Sequence, residues 1–227
     1  METTYIEIDS PDKHLSDVLE EIPSNVILYK TLTGIGATYS EIKAQRHSII
    51  IEPNVPVIIG KCNSDKHKND NLLGVYEGVT TDRIIKYLGA SRGKYYKILT
   101  TPESFTKVED AFLIFNGKIY NTCFLLIDEA HKTIKDVDYR SDIVLPMNDF
   151  FKFKGKALVS ATPLKFSDPR FEENGFSIIK IEPTYDYAKE IDIKPSTNIL
   201  REVWEEFGWK PFITGQDKDR PFFIFIN

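Results

Sequence analysis

Two cysteines in 227 residues, Cys62 and Cys123, are too few and too far apart for a disulfide framework or a cysteine-rich metal site. They fit a reducing compartment. No apolar run approaches membrane-spanning length, and the opening METTYIEIDS carries acids where a secretory leader has a basic and then an apolar region. A cytoplasmic protein is expected. Excess positive charge is missing too: 29 Lys plus Arg against 34 Asp plus Glu leave a net charge of −5. That balance excludes a binder driven by overall charge, so contact with nucleic acid needs a local patch or backbone donors. Internal repeats and low-complexity segments are also lacking. What is present, 41% hydrophobic and 28% charged residues, is the balance of an ordinary globular chain able to bury a core.

Apolar periodicity lays out alternating strands and helices. Strands are expected at 4–8, 25–29, 48–52, 72–76, 97–101, 124–127, 156–159 and 177–181, and helices at 11–22, 39–46, 80–88 and 105–115. Several of these strands, such as NVILY and FLLI, are apolar without alternation, the mark of strands buried on both faces of a parallel sheet. The segment VIIGK follows a turn at PNVP, and the polar, locally basic stretch 61–71 reads as a solvated loop. The phenylalanines of 143–153 suit a core better than a stacking platform. From Thr184 the composition becomes charged and turn-rich, a linker over 184–220 with one helix at 197–207. The closing FFIFIN at 221–227 reads as the first strand of another sheet, so the chain is expected to be an N-terminal fragment.

Chemistry concentrates at four strand ends. After strand 25–29, TLTGIGAT leads into a helix, and strand, glycine loop, helix is the layout of a phosphate cradle. Gly34 and Gly36 would let backbone N–H groups approach phosphates, and Thr38 would offer a hydroxyl to magnesium. The same two glycines also serve a left-handed turn that binds nothing. The segment FLLIDEAH delivers Asp128 and Glu129 at the carboxyl end of a buried strand, where ligands of open α/β sheets sit. Such a pair suits magnesium and phosphate chemistry, one carboxylate placing the hydrated ion and the other polarising a water. An ordinary strand followed by a capped helix is the plainer alternative. Two further strands end in the hydroxyl-rich runs TTPES and SATP.

In this order, TGIGAT, TTPES, DEAH and SATP resemble the first RecA-like domain of superfamily 2 helicases of the DEAD/DEAH-box type, over roughly 22–183. The resemblance implies a P-loop NTPase fold: α/β, a mostly parallel sheet with helices on both faces, occupying 1–183. It implies ATP and Mg2+ as cofactors, held by Thr33, Gly34, Ile35, Gly36, Ala37 and Thr38. Asp128, with Thr38, would hold the metal, and Glu129 would activate the hydrolytic water. His131, Ser160, Ala161 and Thr162 would couple that site to a DNA or RNA track formed by Glu52, Pro53, Asn54, Thr101, Pro102, Glu103 and Ser104. A second RecA-like domain would be the partner, absent from this chain beyond its first strand, together with the arginine finger it carries.

One departure matters. The family's phosphate loop ends in Gly-Lys-Thr or Gly-Lys-Ser, and here Ala37 stands between Gly36 and Thr38. The lysine bridges the β and γ phosphates, and loss of a comparable electrostatic stabiliser costs about 100-fold to 1000-fold in rate. Lys30 and Lys43 are near enough in sequence to reach in from another direction, although a lone lysine reads first as a surface residue. Two functions follow. The first is a helicase-like nucleoside-triphosphatase domain, weak or inactive alone, which the acidic pair and SAT favour. The second is a non-catalytic RecA-like scaffold or a nucleotide- or nucleic-acid-binding module, which Ala37 favours.

Overall fold

The computed structural model describes residues 1–32, 34–135, 149–162, 168–186 and 201. The chain divides into two compact units, Met1–Tyr187 and Ala188–Asn227. The expected helix at 197–207, save Arg201, and the expected terminal strand at 221–227 lie outside the described residues, as do residues 143–148 and Thr33.

The first unit is built on eight strands: β1 (Thr3–Ile8), β2 (Val26–Lys30), β3 (His47–Ile51), β4 (Leu72–Val75), β5 (Lys97–Thr100), β6 (Cys123–Ile127), β7 (Gly155–Ser160) and β8 (Ser177–Pro183). They form one sheet in the order β1-β8-β2-β7-β6-β3-β5-β4, and every pairing is parallel. Successive residues of a strand face opposite sides, so the uninterrupted apolar runs feed two cores at once. Ile27, Ile51, Leu125 and Leu158 belong to one, with Ile84 and Leu88 of α4 (Thr81–Ala90) and Phe105, Val108 and Phe112 of α5 (Phe105–Phe115). Leu28, Ile50, Leu126 and Val159 belong to the other, with Leu15 of α1 (Leu15–Val18), Ile42 of α2 (Ala37–Lys43) and Ile58 of α3 (Val55–Cys62). The sheet therefore carries helices on both faces, as the fold class expected. Short helices α6 (Ile119–Thr122), α7 (Ala130–Lys135) and α8 (Arg170–Glu173), with 3-10 turns at Asp65–His67 and Pro102–Ser104, complete the described elements. Phe150 and Phe153 are buried in the first core, which bears out their reading as core residues.

Two stretches depart from periodicity. The helix expected over 11–22 is confined to Leu15–Val18, and Leu19 is already extended at φ −141° and ψ 111°. Its geometry is set by docking: the Leu15 amide donates to the Ile35 carbonyl at 2.8 Å, tying the segment to the glycine loop. The VIIGK run lies in α3, where a proline at the helix start needs no amide donor.

Candidate active site at the carboxyl rim

Strand β2 ends at Lys30, and the loop that follows turns twice through left-handed backbone, Gly34 at φ 82° and Gly36 at φ 89°. A methyl group at Gly34 would touch nothing within 4 Å, so conformation, not space, demands glycine there. Helix α2 opens at once: the Ser40 amide donates to the Gly36 carbonyl at 2.8 Å. Ile35 and Ala37 are buried in the apolar layer with Leu15 and Ile42, which fixes the loop against the sheet. Thr38, in the first turn, is itself buried.

Strand β6 ends in the acidic pair. The Asp128 amide donates to the Ile51 carbonyl at 3.0 Å, prolonging the β6–β3 ladder by one rung and fixing the Asp128 backbone. Only β7 separates β2 from β6, so the two strand ends stand two interstrand spacings apart, about 10 Å. Side chains close the gap. The Thr38 hydroxyl donates to Asp128 Oδ2. Lys30 Nζ lies 2.9 Å from Asp128 Oδ1 and 2.7 Å from Glu129 Oε1, reaching across the end of β7 to clasp both carboxylates. Asp128 Oδ1 also accepts from the Glu129 amide at 2.9 Å. Glu129 sits at φ 50°, a conformation uncommon outside glycine, asparagine and aspartate.

The middle strand joins in. At the end of β7, Ser160 Oγ lies 3.2 Å from His131 Nδ1, donates to the Thr162 carbonyl at 2.7 Å and accepts from the Thr162 amide at 3.1 Å. His131 Nδ1 is also 3.4 Å from Glu129 Oε2. Glu129, His131, Ser160 and Thr162 thus form one continuous polar chain. Ala161 contributes to a neighbouring cavity of about 510 Å³, lined also by Tyr29, Lys30, Thr31 and Lys180.

Lys30 is 6% exposed and is no surface lysine. Burial works against its ammonium, but the charges of Asp128 and Glu129 outweigh that and raise its pKa. Burial likewise pushes the Asp128 carboxyl up, and Lys30 and the Thr38 hydroxyl reverse this, holding it below the usual carboxylate range. Lys43 is the surface residue of the pair: it lies 2.7 Å from Asp70 and stacks over Tyr39. Sequence reasoning weighed Lys30 but did not select it; its position as the last residue of an otherwise apolar strand, directly before a glycine loop, was the available signal.

The residues expected on the nucleic-acid track follow β3 and β5, which are adjacent, with Ile51 level with Thr100. They share the rim but differ in exposure. Asn54 and Glu103 are open and Pro53 is half-buried, whereas Glu52, Thr101, Pro102 and Ser104 are buried. Glu52 is 3% exposed, and its Oε2 has no hydrogen-bond partner. Burial, reinforced by the charge of Asp128, pushes its carboxyl up to about 7.

Among the described residues no cluster of three or more His, Cys, Asp or Glu side chains could hold a metal alone. Thr38 and Asp128 nevertheless supply two hard oxygen donors facing one another, the kind of partial set that magnesium completes with waters and phosphate oxygens. The Lys30 ammonium already lies against that carboxylate. Among the described residues no helix is long and apolar enough to cross a membrane.

No family model and no curated protein matches this sequence. Among solved structures the chain is similar to a hypothetical ATP-dependent RNA helicase from Sulfolobus tokodaii, at 16% identity and a TM-score of 0.47, covering 69% of this chain and 48% of that one. It is also similar to the Hef helicase domain of Pyrococcus furiosus, at 14% identity and a TM-score of 0.48, covering 72% of this chain and 36% of that one. This chain therefore spans less than half the length of either structure.

Proposed function

We infer that this rim is the nucleoside-triphosphate site of a helicase-like ATPase domain that works on DNA or RNA. The observation that carries the reading is the bond from Thr38 to Asp128, which joins the glycine loop to the acidic pair at one edge of one sheet. Bound magnesium would supply positive charge where the phosphates carry negative charge. Thr38 and Asp128 would hold it through oxygen. The backbone between Gly34 and Thr38 would receive the phosphates, and the Glu129 carboxylate would accept a proton from the attacking water. The polar chain through His131, Ser160 and Thr162 would report the state of that carboxylate to the neighbouring strand ends. Exposed Asn54 and Glu103, with the backbone of the segments after β3 and β5, would face the nucleic acid. In this reading 1–183 form the domain, 184–220 a linker and 221–227 the opening of a second RecA-like domain.

A second reading, a module that binds nucleotide without turning it over, is favoured by Ala37, which leaves the loop without its lysine. Calorimetric titration with ATP and magnesium, followed by turnover assays with and without single-stranded DNA or RNA, separates the two. Turnover that disappears in Glu129→Gln supports the ATPase. Binding with no turnover, even when the second RecA-like domain is supplied, supports the module, and absence of binding in the wild type removes both.

A further inference from the structure

We propose that Lys30 is the phosphate-binding cation of this site, entering from the end of β2 instead of from the loop, and that it trades places with magnesium at Asp128 when a nucleoside triphosphate binds. The proposal rests on the nucleotide reading above. Position 37 does not supply the charge: Ala37 is 3% exposed and packed in the apolar layer beside Ile35 and Ile42. Lys43 is committed to Asp70. Among the described residues, Lys30 is the lysine ion-paired with the acidic doublet.

Geometry puts its ammonium where a phosphate group must come. Lys30 Nζ holds Asp128 Oδ1, while the Thr38 hydroxyl holds Oδ2 of the same carboxylate. The cation therefore shares one carboxylate with the first turn of α2, having arrived across the end of β7. A lysine fixed there is a point charge suited to phosphate oxygens.

Charge count dictates the exchange. One ammonium and two carboxylates leave the trio one negative charge in excess, which opposes a triphosphate arriving alone. Drawing Lys30 off without replacement would also strand Asp128, buried as it is, and an unpaired buried charge is strongly disfavoured. A magnesium ion taking the Thr38 and Asp128 oxygens removes both obstacles. With that ion held, the Asp128 carboxylate would keep a counter-charge, and the Lys30 ammonium, repelled by a like charge a few ångströms away, would turn to the phosphates. Nucleotide and metal should therefore bind as a coupled pair.

The test measures binding, not turnover. ATP is titrated into wild type, Lys30→Gln and Lys43→Gln, each with magnesium and with EDTA, and thermal unfolding is followed with magnesium chloride alone. A charged hydrogen bond to phosphate corresponds to roughly 10-fold to 100-fold in affinity. Lys30→Gln should lose that much for ATP with magnesium, while Lys43→Gln matches the wild type. Magnesium alone should raise the melting temperature of Lys30→Gln and leave that of the wild type unmoved, because the variant frees two carboxylates. Should Lys30→Gln not fold, an acyl-phosphate derivative of ATP can be used on the wild type. The lysine nearest the phosphates, once it has given a proton to solvent, attacks as the free amine and, losing a second proton, becomes an amide as the acyl–phosphate bond breaks and ATP leaves. Mass spectrometry should find the label on Lys30, protected by excess ATP and magnesium. Unchanged ATP affinity in Lys30→Gln, or protected labelling on Lys43 in place of Lys30, overturns the proposal while the nucleotide reading stands. No binding of ATP by the wild type overturns both.

Discussion

The side chains of Thr38 and Asp128, 90 residues apart in sequence, meet in a buried hydrogen bond. It is the shortest path from the glycine loop to the acidic pair. Thr38→Val keeps the shape but leaves Asp128 Oδ2 without that donor, and an orphaned buried acceptor costs about 1–3 kcal/mol. Thr38→Ser restores the hydroxyl and should recover most of the loss. Urea unfolding of the three proteins checks this. A valine variant within about 0.5 kcal/mol of wild type, the ordinary scatter of surface changes, would show that the bond does not hold the site together.

Glu129 is held at φ 50°. Comparing Glu129→Ala with Glu129→Gly isolates the strain, since both lose the carboxylate and its contact with Lys30. Left-handed backbone costs a residue with a Cβ about 1–2 kcal/mol, so the glycine variant should be the more stable by that margin. Ordinarily alanine wins such a comparison, because glycine gives up more entropy on folding. An alanine variant as stable as glycine would remove the case for strain.

How much of this was legible in the sequence differs from residue to residue. Asp128 and Glu129 could be placed because an apolar run that ends in two acids admits few structures, and β6 is that strand. Gly34 and Gly36 were readable because backbone with positive φ favours glycine, though Asn25, Asn71 and Glu129 adopt it here as well. Strand order was not readable: hydrophobic period says which residues are buried, not that β7 lies between β2 and β6. Without that neighbourhood no reading could tell that Lys30 spans the end of β7, and a lysine after a strand looks solvated. Exposure was not readable either: Thr101 and Ser104, which the resemblance put on the nucleic-acid track, are buried as β5 gives way to α5. The short α1 escaped because its extent depends on contact with Ile35, 20 residues from Leu15 in sequence and invisible to local spacing.

Glu52 makes stability depend on pH. Its carboxyl keeps a proton in the folded chain up to about pH 7, against 4.5 for the ordinary group. Between those values the unfolded chain has released the proton and the folded chain has not, so stability falls as pH rises from 4.5 and levels off above 7. The whole effect is about 3 kcal/mol, at 1.36 kcal/mol per pH unit. Glu52→Gln removes the titration, so its advantage over wild type should be small at pH 5 and grow to a few kcal/mol at pH 8. Chemical unfolding at the two pH values reads the difference directly, and other titrating groups cancel between the two proteins. An advantage that is flat or shrinks with pH would mean that Glu52 is ionised in the folded state.

Beneath the site, α2 is tied to the sheet by a buried network. Glu41 is fully buried and accepts from Arg46 Nε at 3.0 Å and from Ser48 Oγ at 2.6 Å. Lys97 of β5 completes it, with Nζ 2.7 Å from the Glu41 carbonyl, 2.8 Å from the Ala44 carbonyl and 3.0 Å from Ser48 Oγ. The ammonium thus caps the carboxyl end of the helix whose other end carries Thr38, where a positive charge meets the negative end of the helix dipole. Glu41→Ala leaves Arg46 and Lys97 without their buried counter-charge, and breaking such a pair costs about 3–5 kcal/mol. Arg46 retains some exposure, its side chain being 20% accessible, so the lower end of that range is expected. The loss should fall on folding and not on the chemistry of the rim: at a temperature where Glu41→Ala is still folded, its ATP affinity should match the wild type. A large drop in affinity without loss of stability would instead mean that Glu41 acts on the phosphate loop itself.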